Sequence, residues 1–271
     1  MSQLLKAVSA HELRIVQGNQ ANPRDFPYQV LLLYNDKPLC GGTLITQKHV
    51  LTAAHCIYPL VELRKIQGLE VLAGSIWHGA GARYRARRVS YSFDYVDTSS
   101  PRYSGYFGDI GVIQLSKNVT LSPYVQPIAL PEKSKSNIPD ETDVIVSGFG
   151  SNVLSGQDSH VLKFFKTKTM SLVKCQTHYG IRISEANICT ERQTIKNGTK
   201  YEGTCTGDSG GPVATKDKKI LVGIISGGDH QCHENYPNVA VKISYYLDYI
   251  NDEIKNYSDR PDTIGKNPSW S

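Results

Sequence analysis

Short apolar runs alternate along the chain with segments of Gly, Pro, Ser or Asn. The runs are rich in Val, Ile, Leu and aromatic residues, and they cover 28–34, 50–52, 70–73, 110–115, 143–147, 164–169, 220–226 and 238–242. Short extended runs separated by turn residues are typical of an all-β sandwich or barrel. One helix is indicated late in the chain, where Ser244 can cap a run in which Leu247, Ile250 and Ile254 share a face.

A proline-containing segment, 116–131, separates two β-rich halves of similar length, and the chain has no internal repeat. Beyond Asn256 the sequence is polar and contains Pro and Gly, so we expect residues 257–271 to form a loose tail.

The charge and the apolar content exclude several classes of protein. The chain has 271 residues, and 30 Lys and Arg against 25 Asp and Glu give a formal net charge of +5. These charges are scattered, whereas nucleic-acid-binding proteins gather their basic residues in a patch, so we expect no nucleic-acid partner. An apolar fraction of 39% supports a folded core. No apolar run approaches the roughly 20 residues that span a bilayer, so we expect no membrane partner.

Six cysteines and three sequons indicate a secreted protein. No two cysteines form a C-x-x-C pair, so zinc-finger and thioredoxin spacings are absent and we expect disulfides, although spacing alone leaves their pairing open. The sequons offer three glycosylation candidates, Asn118, Asn197 and Asn256. Residues 1–10 lack the apolar core of a signal peptide, so we expect an extracellular protein whose signal is not present in this chain.

The segment Gly-Asp-Ser-Gly-Gly-Pro, which begins at Gly207, carries the clearest chemistry. A serine between glycines can expose its hydroxyl on a tight turn, and the backbone amides of Gly207 and Ser209 can approach a substrate carbonyl. Two such amides form an oxyanion hole. Taken alone, the motif is also compatible with a structural turn.

Two further motifs supply the partners that a serine nucleophile needs. His55 lies in Thr-Ala-Ala-His-Cys, and Asp109 stands at the head of an apolar run. A nucleophilic serine requires a base, and the base requires an orienting acid. Each residue alone would be an ordinary core or strand-start residue, but the three motifs together indicate acyl transfer.

On these motifs the sequence resembles the chymotrypsin-like (trypsin-fold) serine endopeptidases from Ile15 to about Asn256. The resemblance implies an all-β fold of two orthogonally packed six-stranded antiparallel β-barrels with a C-terminal helix. The expected organisation is a propeptide at 1–14, a protease domain at 15–256 and a tail at 257–271. Within the protease domain, the two barrels are expected at roughly 28–120 and 130–243, and the C-terminal helix at 244–256.

The resemblance also assigns catalytic roles. His55 is the general base, Asp109 its orienting partner and Ser209 the nucleophile, while the amides of Gly207 and Ser209 form the oxyanion hole. Ser226 supports the buried aspartate. The family pattern pairs all six cysteines, as Cys40–Cys56, Cys175–Cys189 and Cys205–Cys232.

The segment Arg14-Ile15-Val16 resembles a zymogen activation site. Cleavage after Arg14 by another protease would free the ammonium of Ile15, which would enter the protein and pair with Asp208. A buried carboxylate without a partner is unfavourable, so this pairing can drive formation of the oxyanion hole. We expect the uncleaved chain to be nearly inactive.

The substrate-binding positions depart from the trypsin pattern. The residues assigned to them by the resemblance are Gly203, Thr204, Ser226, Gly227, Gly228 and Asn238. Gly203 replaces the aspartate that binds Lys or Arg in trypsin-like members, and an uncharged floor does not stabilise a buried cation. Asn238 replaces a glycine and is expected to project its amide into the pocket, while Gly227 replaces a tryptophan. We therefore expect chymotrypsin-like or elastase-like rather than trypsin-like cleavage.

The sequence thus predicts a secreted, monomeric serine endopeptidase that acts through an acyl-enzyme and needs no cofactor or metal. Its partners would be protein or peptide substrates, an activating protease and protease inhibitors. The pocket departures leave one alternative open, a protease-like regulatory or binding protein with little or no turnover.

Overall fold

The structure, a computed structural model, describes residues 18–97, 100, 105–133, 138–150, 160–195, 200–205, 207–228 and 236–255. The strands in these residues are β1 Asn19–Gln20, β2 Gln29–Tyr34, β3 Lys37–Leu44, β4 His49–Thr52, β5 Leu69–Ala73, β6 Ala82–Tyr91, β7 Gly111–Leu115, β8 Asp143–Gly148, β9 Lys163–Met170, β10 Asn187–Thr190, β11 Gln193–Ile195, β12 Lys200–Glu202, β13 Pro212–Thr215, β14 Leu221–Gly227 and β15 Asn238–Lys242. The helices are α1 Ala54–Glu62, α2 Leu172–Tyr179 and α3 Leu247–Lys255. Every apolar run singled out in the sequence overlaps one of these strands.

The first six-stranded barrel closes in the order β2-β3-β4-β7-β6-β5, with β5 pairing back to β2. Its interior is filled by wholly buried aliphatic side chains, among them Leu32, Leu44, Val50, Ile113 and Leu115. These residues come from alternate positions of neighbouring strands, because successive side chains of a strand point to opposite faces.

The second barrel contains β8, β9, β10, β15, β14 and β13, and it closes because β8 pairs with both β9 and β13. The short strand β1 adds to β9 from outside this ring. All the pairings between strands are antiparallel. The expectation of two closed six-stranded antiparallel barrels is therefore confirmed.

One apolar cluster joins the barrels. It contains Leu31 and Val112 from the first barrel and Ile145 and Ile224 from the second. Because side chains from both barrels pack together in this cluster, residues near the junction of the barrels can form one site.

The C-terminal helix is present, but it begins later than the sequence indicated. Ile243–Tyr246 forms a 3₁₀ turn that contains Ser244, and α3 follows at Leu247. Helices α1 and α2 were not predicted, since both are short and α1 contains Pro59. In the part of the chain described, no helix has the length and apolar character needed to cross a bilayer.

Candidate active site

Strand register brings His55 and Asp109 together. Strands β4 and β7 are antiparallel, and Thr52 at the end of β4 pairs with Gly111 at the start of β7. His55 lies just after that end, in the first turn of α1, and Asp109 lies just before that start. Residues more than 50 positions apart in sequence therefore become neighbours.

Asp109 holds His55 at two points. Its Oδ1 accepts a hydrogen bond from the backbone amide of His55 at 2.8 Å, and its Oδ2 lies 2.8 Å from His55 Nδ1. The hydroxyl of Ser226 donates to the same Oδ2 at 2.5 Å. Asp109 is 5% exposed, so three hydrogen bonds satisfy a carboxylate that water barely reaches.

These contacts set the charge of the pair. Burial disfavours the ionised carboxylate, but the charge of His55 and the hydrogen bonds from His55 and Ser226 outweigh it and lower the pKa of Asp109. Burial likewise disfavours the imidazolium, but the charge and hydrogen bond of Asp109 outweigh that effect and raise the pKa of His55. The arrangement therefore favours a proton on Nδ1 and stabilises an imidazolium.

The loop that carries Ser209 is fixed against both barrels. The amide of Gly41 donates to the carbonyl of Ser209 at 2.8 Å, and the amide of Gly210 donates to the carbonyl of Ile225 at 2.7 Å. Gly210 has φ +82°, and a Cβ atom there would overlap Thr52 Oγ1 and the carbonyl oxygen of Gly41. Only glycine fits this position, so Ser209 is held close to the residues that precede His55.

Two backbone amides in this loop remain available. Among the described residues, the amides of Gly207 and Ser209 donate to no protein acceptor, whereas those of Asp208, Gly210 and Gly211 do. The two available amides are those that the sequence assigned to an oxyanion hole. This loop can thus offer two donors to a developing negative charge.

Asp208 is wholly buried behind the same loop. Its Oδ1 accepts from the amide of Gly150 at 2.7 Å and its Oδ2 from the amide of Cys205 at 2.9 Å. Burial raises its pKa to about 6, although these hydrogen bonds and the charge of Arg192 act in the opposite direction. Arg14 and Ile15, the residues of the expected activation site, lie outside the described residues.

Disulfides brace the surroundings of the site. Cys40 and Cys56 are joined, as are Cys175 and Cys189. Cys205 is also disulfide-bonded, while Cys232 lies outside the described residues. The described side chains with metal-ligand spacing are Cys40, His55 and Cys56, but the two sulfurs of that group are bonded to each other and are not thiolate ligands.

Asn238, which the sequence placed on the wall of the expected substrate pocket, is hydrogen-bonded to neighbouring protein groups. Its Oδ1 accepts from the amide and the hydroxyl of Thr204, at 2.8 and 2.9 Å, and its Nδ2 donates to Thr190 Oγ1 at 3.1 Å. The residue is 4% exposed. Its amide is therefore engaged by neighbouring protein groups, rather than projecting freely into the pocket as the sequence led us to expect.

Arg192, which the sequence analysis missed, lies beside the expected pocket floor. Its Cζ, Nε and Nη1 atoms are each 3.1 Å from the place where a Cβ atom would stand on Gly203, and its Nη2 donates to the carbonyl of Thr204 at 3.1 Å. The hairpin of β11 and β12 explains this position. Gln193 pairs with Glu202 in that hairpin, so the preceding residue, Arg192, comes opposite Gly203.

Tyr106 was also missed, and it lies against the glycine that replaces the usual tryptophan. Its Cε1 is 2.5 Å from the Cβ position of Gly227, and its hydroxyl donates to the carbonyl of Gly228 at 3.2 Å. The ring also makes an edge contact with Tyr179. An aromatic surface is thus supplied from the loop before Asp109. The sequence gives no signal for the position of Tyr106, because the length of the loop before Asp109 does not determine where its side chains lie.

Of the glycosylation candidates, Asn118 is exposed between β7 and the second barrel. Asn197 and Asn256 lie outside the described residues.

Comparisons with known proteins agree with this geometry. A family model described as Trypsin matches residues 15–250. "Serine protease SP24D" of Anopheles gambiae is 31% identical over 244 residues, covering 90% of this chain and 82% of that protein. A "Venom serine protease" of Polistes dominula is 29% identical and covers 88% of this chain and 84% of its own length.

A solved structure gives the same result. The mouse brain serine protease neuropsin superposes with a TM-score of 0.73 at 27% identity, covering 88% of this chain and 99% of that chain. With the family model and the relatives, this shows that the chain belongs to the trypsin family of serine proteases.

Proposed function

We propose that this protein is a secreted serine endopeptidase in which Ser209 is the nucleophile, His55 the general base and Asp109 its orienting partner. One observation carries the proposal. A buried carboxylate holds His55 at both its amide and its Nδ1, next to a serine loop with two available amides. This is the set of groups that acyl transfer needs.

The residues would act in sequence on a peptide bond. Ser209 Oγ attacks the scissile carbonyl carbon while His55 Nε2 accepts its proton, and the amides of Gly207 and Ser209 bind the resulting oxyanion. His55 then gives the proton to the leaving amine, and an ester on Ser209 remains. Water, deprotonated by His55, attacks that ester and releases the second product. No step needs a cofactor.

We propose further that the protein is a zymogen activated by another protease after Arg14. Support comes from Asp208, which is 0% exposed and has a pKa raised to about 6 by burial. At neutral pH this carboxylate is ionised and lacks the stabilisation that water gives. The ammonium released at Ile15 would supply the opposite charge, so cleavage would favour the loop conformation with the two available amides.

The proposed specificity is not trypsin-like. Gly203 brings no carboxylate to the pocket floor, and an uncharged floor does not stabilise the buried charge of a Lys or Arg side chain. The proposed cleavage is therefore chymotrypsin-like or elastase-like. The proposed partners are protein or peptide substrates, the activating protease and protease inhibitors. The proposed enzyme is a monomer and acts outside the cell.

Labelling with a fluorophosphonate probe, before and after limited cleavage at Arg14, tests the proposal. The probe needs an activated serine and an oxyanion hole but not a particular pocket. We expect labelling of Ser209 after cleavage and little before. Ser209→Ala should abolish the label, and Arg14→Gln should block activation. An unlabelled protein whose N-terminus is shown to be Ile15 would contradict the proposal and support the regulatory alternative, which no observation on the described residues favours.

A further inference from the structure

We propose that Tyr246 is a positioning residue for the aspartate of the triad. Its hydroxyl holds Gly108, and the position of Gly108 sets how Asp109 meets His55. The inference rests on the proposed peptidase activity and deepens it. It gives a role in catalysis to a tyrosine near the C-terminal helix for which the sequence indicated none.

Asp109 is the middle residue of a tight turn. The amide of Ile110 donates to the carbonyl of Gly108 at 2.7 Å, and this turn stands directly before β7. A three-residue turn leaves its middle residue little freedom, so the direction of the Asp109 side chain follows the position of Gly108. A shift of Gly108 would therefore move the carboxylate away from its contacts with His55.

Gly108 is held from two sides. Its φ is +73°, and a Cβ atom there would overlap the backbone of Asp94 and Tyr95, so the loop after β6 packs directly against this glycine. From the other side, the amide of Gly108 donates to the hydroxyl of Tyr246 at 2.8 Å, in a hydrogen bond that is buried from water. The second hold ties the aspartate of the first barrel to the segment that follows the second.

Tyr246 is itself fixed by packing. It ends the 3₁₀ turn Ile243–Tyr246, and it is 4% exposed. Its ring contacts those of Phe107 and Tyr245, with centroids 6.4 and 5.0 Å away. Because Phe107 precedes Gly108, the ring and the hydroxyl of Tyr246 hold two consecutive residues of the segment that leads to Asp109.

The hydroxyl of Tyr246 stays neutral throughout the pH range in which a histidine titrates. Burial raises the pKa of Tyr246, although the hydrogen bond from Gly108 opposes this effect. The ionisable groups that act on the hydroxyl raise its pKa further, and they are Asp94, Tyr245 and Asp109. Tyr246 therefore acts through its hydrogen bond and does not titrate during the test described below.

The loss of this hydrogen bond should be felt at His55. Burial lowers the pKa of His55, and the charge and hydrogen bond of Asp109 raise it by more. If Gly108 shifts, both effects of Asp109 weaken, so the pKa of His55 falls and the imidazolium formed during catalysis is less stable. The acid limb of the kcat/KM profile, which reports this pKa in the free enzyme, should then move to lower pH while kcat falls.

Two neighbouring tyrosines give a matched pair of variants, Tyr246→Phe and Tyr245→Phe, in the enzyme cleaved at Arg14. Each change removes one hydroxyl and keeps the ring, but within the described part of the chain the hydroxyl of Tyr245 makes no hydrogen bond, and this side chain is half exposed. We expect Tyr246→Phe to lower kcat about 3- to 10-fold, the net contribution of one hydrogen bond, and to move the acid limb to lower pH. Tyr245→Phe should match the parent enzyme in both respects. Rates are compared per serine titrated with the fluorophosphonate, so a misfolded fraction does not count.

Two further measurements separate positioning from a general loss of stability. In the Asp109→Asn background, Tyr246→Phe should lower kcat no further, because the group that it positions is gone. An NMR titration of His55 in cleaved Ser209→Ala should give a lower pKa when Tyr246→Phe is added, and it needs no turnover. An unchanged pKa of His55, or an equal fall of kcat with and without Asp109→Asn, would overturn the inference. Absence of fluorophosphonate labelling in the parent would overturn the proposed function instead, while the NMR titration would still decide whether Tyr246 positions Asp109.

Discussion

The buried charge of Asp208 predicts how the stability of the uncleaved chain depends on pH. In that chain the nitrogen of Ile15 is a peptide amide, so it carries no positive charge. Folding raises the pKa of Asp208 from 3.8 to about 6 because burial disfavours the carboxylate. The folded protein therefore binds this proton more tightly than the unfolded chain does.

The size and direction of the effect follow from linkage. Well below pH 3.8 the group is protonated in both states and contributes nothing. Between 3.8 and about 6 the unfolded chain has released the proton that the folded protein retains, so the free energy of unfolding falls by about 3 kcal/mol in total and changes no further above pH 6. After cleavage, the ammonium of Ile15 would lower the pKa of Asp208 and remove most of this loss.

Urea unfolding at several pH values between 4 and 8 measures the difference. Cleaved and uncleaved forms of Ser209→Ala are compared, because this variant does not digest itself and the two forms share every side chain. We expect the uncleaved form to lose about 2 kcal/mol relative to the cleaved form between pH 4 and pH 7. Parallel pH profiles for the two forms would refute the pairing of Ile15 with Asp208.

Three further predictions concern single side chains. Gly210→Ala should lower the free energy of unfolding by about 2 kcal/mol or more and abolish probe labelling, since φ is +82° and the new methyl group would overlap Thr52; an unchanged melting temperature would contradict this. Asn238→Ala leaves the amide and hydroxyl of Thr204 without their acceptor and should lower the free energy of unfolding by about 1–3 kcal/mol in urea. Tyr106→Ala removes the ring that lies against Gly227 and should lower kcat/KM about 10-fold for peptides with apolar residues before the cleaved bond, but not for short peptides without them. An equal loss of kcat/KM for the two kinds of peptide would show that Tyr106 has only a structural role.

The sequence predicted eight of the strands and the candidate triad because both are local patterns, while strands with less apolar sequences, such as β3, were missed. Every apolar run fell on a strand, and the motifs around His55, Asp109 and Ser209 each occupy a few consecutive residues. Helix α2 was missed although Ser171 caps it, since its sequence carries little apolar periodicity. The amide of Asn238 was assigned to the pocket because its partners, Thr190 and Thr204, are distant in sequence.

Arg192 is a different case, because a usable signal was present. Asn197-Gly198 is a strong two-residue hairpin signal as well as part of a sequon. A two-residue turn at these positions pairs residue 193 with 202, which is the register found between β11 and β12. Extending that register by one residue places an arginine opposite Gly203. Hairpin register would thus have placed Arg192 beside the expected pocket floor from sequence alone.

Arg192 and Asp208 carry opposite charges and contact the same segment of the chain, at Thr204 and Cys205. Arg192 contacts the floor at Gly203 and Thr204, and Asp208 accepts from the amide of Cys205, the next residue along. Burial raises the pKa of Asp208, and the charge of Arg192 is one of the smaller effects that lower it. Because Arg192 and Asp208 contact adjacent residues, Thr204 and Cys205, the proposed activation and the conformation of the expected pocket floor depend on the same local electrostatics.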